Sequence, residues 1–229
     1  MSVTADERTQ LSNLFDDLGP DAPTLCGDWT TRDLVAHLLV RERRPDAAGG
    51  VFIPALAGRT ERVMAAVAQR EYPDLVHDFR VGPPIWSPLG WPVVGDQANL
   101  FEFFVHHEDV RRAQPDWQPR PVDATEDTAR DDALWKSLRL AARVLFRHSP
   151  VGVVLSSAGH GEIVAKKAGS GQNRASDQNP DQNHGLVTLV GLPGEIVLIA
   201  FGRSPEVARV IIEGTPADVD AFVSSERGL

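Results

Sequence analysis

With 229 residues, 42% of them apolar, the chain can bury one large core or two modest ones. Its 32 acidic and 23 basic residues give a net charge of -9, which repels phosphate backbones and anionic bilayers and argues against nucleic acid or membrane as a partner. The single cysteine excludes an internal disulfide and every CxxC-type zinc or redox motif, so we expect any metal to be held by histidine and carboxylate.

The first half of the chain is predicted to be helical, with proline and glycine between the helices. The predicted helices run from Thr4 to Leu18, from the N-cap Thr30 to Pro45, from about Leu56 to Arg70, and from the N-cap Asp96 to about Pro115, with a short turn at Pro73 to Phe79. Thr4 and Glu7 have the spacing of a capping box. Four helices with short or moderate connections predict a four-helix bundle.

After the linker QPDWQPRPVD the pattern changes from helical to mixed. A helix at about Thr125 to His148 is followed by the strands VGVVLSS, EIVAKK and LVTLVG, an apolar helix at Pro193 to Phe201, the strand ARVIIEG and a helix at Thr215 to Ser225. We therefore predict an all-α bundle over residues 1–118 and a small α+β domain over 119–229. The polar segment at 169–185 is predicted to be a mobile loop.

Two features of the sequence concern localisation. No apolar run reaches the roughly 18 residues of a membrane span. The N-terminal stretch MSVTADERTQ lacks the basic and then apolar layout of a signal peptide. We expect a soluble, cytosolic protein, present as a monomer or a homodimer.

The fourth predicted helix carries polar side chains in an unusually apolar setting. The stretch FEFFVHHED leaves almost no face of the helix free of large apolar groups. Glu102 and His106 lie four residues apart, so both are on one face of this helix. A buried, isolated carboxylate costs several kcal/mol, so Glu102 must be neutralised, paired with a cationic side chain or bound to a metal.

A third polar group of the same kind is His37, midway along the apolar stretch LVAHLLV of the second helix. His37, Glu102 and His106 would form a 2-His-1-carboxylate set with open positions, which suits zinc best and iron(II), nickel or manganese somewhat less well. The alternatives are a hydrogen-bonded pair of Glu102 and His106 without metal, or a Glu102 that is protonated or paired with arginine.

Three neighbouring groups have proposed supporting roles. Asp109 can accept the ring N–H of His106 or form an ion pair with Arg112 or Arg41. His107 points about 100° away from His106 and is expected at the rim of the site or as a supporting group behind the ligands. Cys26 is either a nucleophile or, as is commoner, a small buried cysteine.

Two arginines are candidate contacts for an anionic group of the substrate. Arg41 belongs to the basic run RERR at the end of the second helix, which is otherwise a solvated helix end. Arg203 ends the apolar helix of the second domain, where its alternative role is to cap the helix carbonyl groups.

The segments CGDWTTRDLVAHLLVRERRPDA and NLFEFFVHHEDVRRAQP, followed by PGEIVLIAFGR and ARVIIEGTP, resemble the DinB-like metal-binding proteins related to mycothiol-dependent maleylpyruvate isomerase, and more closely an uncharacterised bacterial subfamily of that group. The resemblance spans nearly the whole chain. It implies a four-helix bundle that holds a divalent metal, usually zinc, and a small C-terminal domain. Carried over by motif, the metal ligands are His37, Glu102 and His106. The polar segment at 169–185 and the basic run after His37 depart from the family pattern.

The resemblance also implies a function. We expect a thiol-dependent transferase or isomerase that activates a low-molecular-weight thiol, such as mycothiol, toward a small electrophilic substrate. Asp109 would orient His106, and Arg41 or Arg203 would contact an anionic group. The alternatives are a metal-dependent hydrolase, a non-catalytic module that binds a metal or a small ligand, and a metal-free scaffold.

Overall fold

The computed structural model describes residues 2–44, 57–87, 89, 92–120, 125–169 and 185–225. The chain divides into two compact units, Met1–Arg120 and Pro121–Leu229. All the secondary-structure elements described in the first unit are helices, whereas the second unit combines helices with a sheet. The predicted mixed fold class is therefore confirmed. Among the described helices, none has both the length and the apolar character that a bilayer crossing requires.

Five helices make up the described part of the N-terminal unit. They are α1 (Val3–Leu18), α2 (Thr31–Arg43), α3 (Ala57–Ala68), α4 (Tyr72–Val81) and α5 (Pro92–Arg112). The helix α1 packs against α4 and α5, while α2 packs against α3 and α4. Their apolar faces meet in one core, whose fully buried aromatic side chains include Phe15, Phe79 and Phe103. The bundle therefore depends on apolar burial along facing helices.

The start of α1 differs from the prediction. The N-cap is Ser2, whose hydroxyl accepts a hydrogen bond from the Ala5 N–H at 3.3 Å. The capping box predicted at Thr4 and Glu7 is therefore wrong. Glu7 is 2% exposed and makes long-range ion pairs, so its carboxylate does not serve the end of its own helix.

Two other helices extend beyond their predicted bounds. The short turn predicted at 73–79 is the helix α4, ten residues long, with Pro73 in its first turn, where a missing N–H costs nothing. Its buried face adds Leu75, Val76 and Phe79 to the core. The helix α5 begins at Pro92, so the predicted start at Asp96 is also wrong, and it ends at Arg112, before Pro115.

The C-terminal unit combines a four-stranded sheet with three helices in its described part. Its elements are α6 (Thr125–Leu145), β1 (Gly152–Ser157), β2 (Gly161–Lys166), β3 (Leu186–Val190), α7 (Pro193–Ala200), β4 (Ile211–Glu213) and α8 (Pro216–Val223). The strand order is β2-β1-β3-β4, with β1 parallel to β3 and the two outer pairs antiparallel. The helix α6 packs against α7 and β2, and α8 packs against β3.

The sequence pattern explains this small core. Val153 and Leu155 of β1 alternate with less buried neighbours and lie beside Val187 and Leu189 of β3. The apolar helix α7 is buried along nearly its whole length. Strand β4 is shorter than the predicted ARVIIEG, because a turn at Ser204, which accepts hydrogen bonds from Val207 and Ala208, occupies the start of that stretch. The predicted mobile loop lies outside the described residues, apart from its ends at Gly169 and Gly185.

Candidate metal centre

The two helices α2 and α5 bring the three predicted ligands together. Glu102 and His106 are one turn apart on α5, and His37 faces them from the middle of α2. One nitrogen or oxygen atom from each of the three side chains can be chosen so that all lie within 4.8 Å of one another. Each of the three residues is partly buried, with a side-chain exposure of 13% to 20%. The structure thus places two imidazoles and one carboxylate around one point.

The carboxylate of Glu102 divides its two oxygens between different neighbours. Oε1 lies 3.1 Å from His37 Nε2 and 3.4 Å from His106 Nε2. Oε2 lies 3.5 Å from Nε of Arg41, whose guanidinium also donates to the side-chain oxygen of Asn99. One carboxylate oxygen therefore faces the two imidazole nitrogens, while Arg41 neutralises the other side of the group.

These contacts keep the Glu102 carboxylate ionised although it is partly buried. Burial raises the pKa of Glu102, but hydrogen bonds from His106 and His37, together with the charges of His106 and Arg41, outweigh that effect. The pKa of Glu102 consequently lies well below its ordinary value. An ionised carboxylate among neutralising groups is a suitable oxygen ligand for a divalent cation.

The opposite edge of the His106 ring meets a second carboxylate. Nδ1 of His106 lies 2.9 Å from Oδ2 of Asp109, a fully buried side chain three residues further along α5. The thiol of Cys26 donates to the same oxygen at 3.1 Å and lies 3.6 Å from His106 Nδ1. Burial lowers the pKa of His106, whereas Asp109, Cys26 and Glu102 raise it, so that it lies well above its ordinary value. Asp109 holds the ring in one orientation.

A short loop before α2 places Cys26 beside α5. The backbone N–H of Leu25 donates to the carbonyl oxygen of Asp109 at 3.1 Å, which ties the loop to the ligand helix. The hydroxyl of Thr24 donates to the carbonyl of Trp29 and accepts from the N–H of Cys26. Gly27 has a φ of 64°, a conformation that glycine adopts without a steric penalty. The ring of Trp29 packs against that of His37, with 5.2 Å between the ring centroids.

A network of buried charges lies on the other face of α5. His107 is 5% exposed, and its Nδ1 lies 2.8 Å from the Glu7 carboxylate of α1. Arg120 contacts Glu7 at 2.7 Å and Glu108 at 2.7 Å. Glu108 also pairs with Arg112. His107 therefore links α5 to α1 through Glu7. Its predicted position at the rim of the site is wrong, because it lies on the other face of α5.

Acid should weaken this network through Glu7. Burial raises the pKa of Glu7, but His107 and Arg120 outweigh it and lower the pKa from 4.5 to about 2. A lowered folded-state pKa adds stability above pH 4.5 that is lost as the pH falls toward 2, about 3 kcal/mol in all. Urea unfolding at about pH 6 and about pH 3 should show about 2 kcal/mol of this loss in the wild type. A Glu7→Gln variant should have a flatter profile, and equal slopes for the two proteins would contradict the role of Glu7.

The remaining predicted site residues have other partners. Arg41 pairs with Glu102 and Asn99, so its guanidinium reaches the edge of the metal centre. Arg203 lies in the C-terminal unit and donates to the carbonyl oxygen of Phe201 at 2.6 Å, as expected for a side chain that caps the end of α7. For both arginines, contact with an anionic substrate stays a prediction.

Cys26 lies beside the metal centre, which the sequence did not predict. Of its two predicted roles, nucleophile or small buried cysteine, the second is favoured, but the residue is partly exposed and its sulfur lies next to both Asp109 and His106. The only signal in the sequence is its position in the turn TLCGDW immediately before the helix that carries His37.

The donor set fits a divalent metal. Two imidazole nitrogens and one carboxylate oxygen form the ligand set of many catalytic zinc sites and of other divalent metals. Asp109 on the far nitrogen of His106 provides the outer hydrogen bond that such ligands usually have. The three side chains are partly buried. A bound cation would therefore offset the cost of keeping the Glu102 carboxylate away from water.

The N-terminal unit is a helical bundle in which two histidines and a glutamate on facing helices form a candidate metal site. Residues 4–111 match the family model described as the mycothiol maleylpyruvate isomerase N-terminal domain. This match assigns the N-terminal unit to the family of mycothiol maleylpyruvate isomerase N-terminal domains, and the predicted relation to that DinB-like group is confirmed for these residues. No curated protein and no solved structure matches the chain.

Proposed function

We propose that the protein is a thiol-dependent metalloenzyme, a transferase or an isomerase, whose metal is held by His37, Glu102 and His106. The observation that carries the proposal is the convergence of these three donors from α2 and α5. Zinc suits the set best, because two imidazoles and a carboxylate leave a position for an exogenous ligand. Kinship with a mycothiol-related domain supports a low-molecular-weight thiol such as mycothiol as the second cofactor.

A bound divalent cation would supply a positive charge that stabilises a thiolate at neutral pH and so provides a nucleophile for an electrophilic substrate. The protein's own side chains would prepare the centre. Glu102 is ionised and offers Oε1, while Arg41 remains on Oε2 and prevents the carboxylate from turning away. Asp109 accepts the Nδ1–H of His106, so Nε2 carries the lone pair when a metal is bound.

The placement of Arg41 supports a second role in substrate binding. Its guanidinium lies at the edge of the centre, where it can contact a carboxylate of the substrate while it remains near Glu102.

The metal centre is also compatible with water activation, and the alternative function is therefore a metal-dependent hydrolase. A further alternative is a protein that binds a metal or small ligand without catalysis. The relation to a mycothiol-related domain favours the thiol chemistry over both.

One assay separates these functions. We expect the wild-type protein to consume a low-molecular-weight thiol in the presence of an activated unsaturated acid, and to lose at least about 100-fold of this rate after treatment with a chelator. Thiol loss is followed with a colorimetric thiol reagent, and product formation by mass spectrometry. Added zinc should restore the rate.

The controls decide between the alternatives. A His77→Ala variant, altered at an exposed histidine of α4, should behave as the wild type does. Ester hydrolysis that depends on the metal but not on the thiol would favour the hydrolase. A metal-loaded protein without either activity, stabilised by its metal, would favour the binding module.

A further inference from the structure

The ring of His106 is surrounded by possible metal ligands at both of its nitrogens. At Nε2 lie Glu102 and His37, the set described above. At Nδ1 lie the carboxylate of Asp109 and the thiol of Cys26, which form a second group of three donors with the same histidine. One imidazole therefore has a carboxylate and one further donor at each end.

The geometry of the second group suits a single ion. Its donor atoms are separated by 2.9 Å between His106 Nδ1 and Asp109 Oδ2, 3.1 Å between Cys26 Sγ and Asp109 Oδ2, and 3.6 Å between Cys26 Sγ and His106 Nδ1. Ligands of one tetrahedral ion at bond lengths of about 2.0–2.3 Å are separated by about 3–4 Å, so only small shifts are required. A sulfur ligand gives this set a preference for soft cations that the His37, Glu102 and His106 set lacks.

We propose that Cys26, His106 and Asp109 form a second metal position, selective for a thiophilic divalent cation, which shares His106 with the first centre and competes with it. The prediction that a metal is held by histidine and carboxylate alone thus applies to the first position only.

Binding of a cation at the second position displaces protons from its ligands. The cation displaces the thiol proton of Cys26 and the Nδ1 proton of His106, which are both released to solvent, and one carboxylate oxygen of Asp109 completes the set. The remaining ring proton of His106 stays on Nε2, where Oε1 of Glu102 lies 3.4 Å away and can accept a hydrogen bond from it. A neutral imidazole has one lone pair, so His106 can serve only one of the two positions at a time. Occupation of the second position therefore withdraws a ligand from the first.

Cadmium is the appropriate probe, because a cadmium–thiolate bond has an ultraviolet charge-transfer absorption that imidazole and carboxylate ligands do not produce. The full-length protein, freed of metal by chelation, is titrated with Cd²⁺. We expect a saturable thiolate band that corresponds to one ion per chain. The chain contains one cysteine, so the band reports on Cys26 alone. His37→Ala should keep the band, because this variant changes only the first centre.

Cys26→Ser is the matched variant, since its hydroxyl can still donate to Asp109 but is a poor ligand for a soft ion. It should lose the band and still bind zinc through the first centre. Absence of the band in both the wild type and His37→Ala would overturn the proposal. A band with unchanged affinity in His106→Ala or His106→Gln would also overturn it, because Cys26 would then bind cadmium without its neighbours. Circular dichroism shows whether each variant is folded, and none of these readouts depends on catalysis.

Discussion

Replacement of Glu102 or His106 by alanine should remove the bound metal from the protein. Each substitution leaves two donors in a pocket where three converge, and a two-ligand site holds a divalent cation far more weakly. We expect the metal affinity to fall by more than about 100-fold. Elemental analysis of protein purified without added metal should find a near-stoichiometric ion in the wild type and almost none in either variant.

The matched control is His77→Ala, which removes an imidazole from an exposed position of the same bundle. It should retain the full metal content. Glu102→Gln is a stricter test than Glu102→Ala, because the amide keeps the size of the side chain and loses the charge. The two alanine variants should keep the helical circular dichroism of the wild type. Stoichiometric metal in folded Glu102→Ala and His106→Ala would contradict the ligand assignment.

The convergence of the three donors follows from local pattern to a large extent. The spacing of Glu102 and His106 fixes them on one face of a helix, and the phenylalanines around them indicate that this helix is buried. His37 has the same signature on α2. The sequence pattern alone does not show that α2 and α5 face one another at these particular turns, because this contact belongs to the tertiary structure. The family resemblance supplied that information.

Contacts between segments that are distant in the chain could not be predicted from the local sequence pattern. Cys26 reaches Asp109 because the N–H of Leu25 bonds to α5, a contact across more than eighty residues. Glu7 has the spacing of a capping residue, but it pairs with Arg120 more than a hundred residues away. A buried ionic partner overrides the local capping preference, because an unpaired carboxylate in the core costs more than a lost cap. The turn predicted at 73–79 is a helix because its apolar face packs on α1 and α2.

Replacement of Arg120 by methionine should strongly destabilise the N-terminal unit. The guanidinium makes two contacts with Glu7, at 2.7 Å and 3.1 Å, and a third with Glu108 at 2.7 Å. Both carboxylates are nearly inaccessible, with side-chain exposures of 3% and 1%. Arg112 still pairs with Glu108 after the substitution, but Glu7 loses its arginine partner in the core, and breaking a buried pair in this way costs about 3–5 kcal/mol. Urea unfolding followed by circular dichroism should show a lower midpoint.

The same substitution at Arg80 is the control for loss of an arginine as such. Arg80 pairs with Asp16, but the two side chains are 38% and 56% exposed, and a pair in that setting contributes at most about 1 kcal/mol. We therefore expect Arg80→Met to unfold close to the wild type and Arg120→Met well below it. Since Glu7 lies on α1 and Glu108 on α5, a loosened contact should also move the helix that carries Glu102 and His106, and metal affinity should fall along with stability. Equal unfolding midpoints for the two variants would show that Arg120 does not stabilise the bundle.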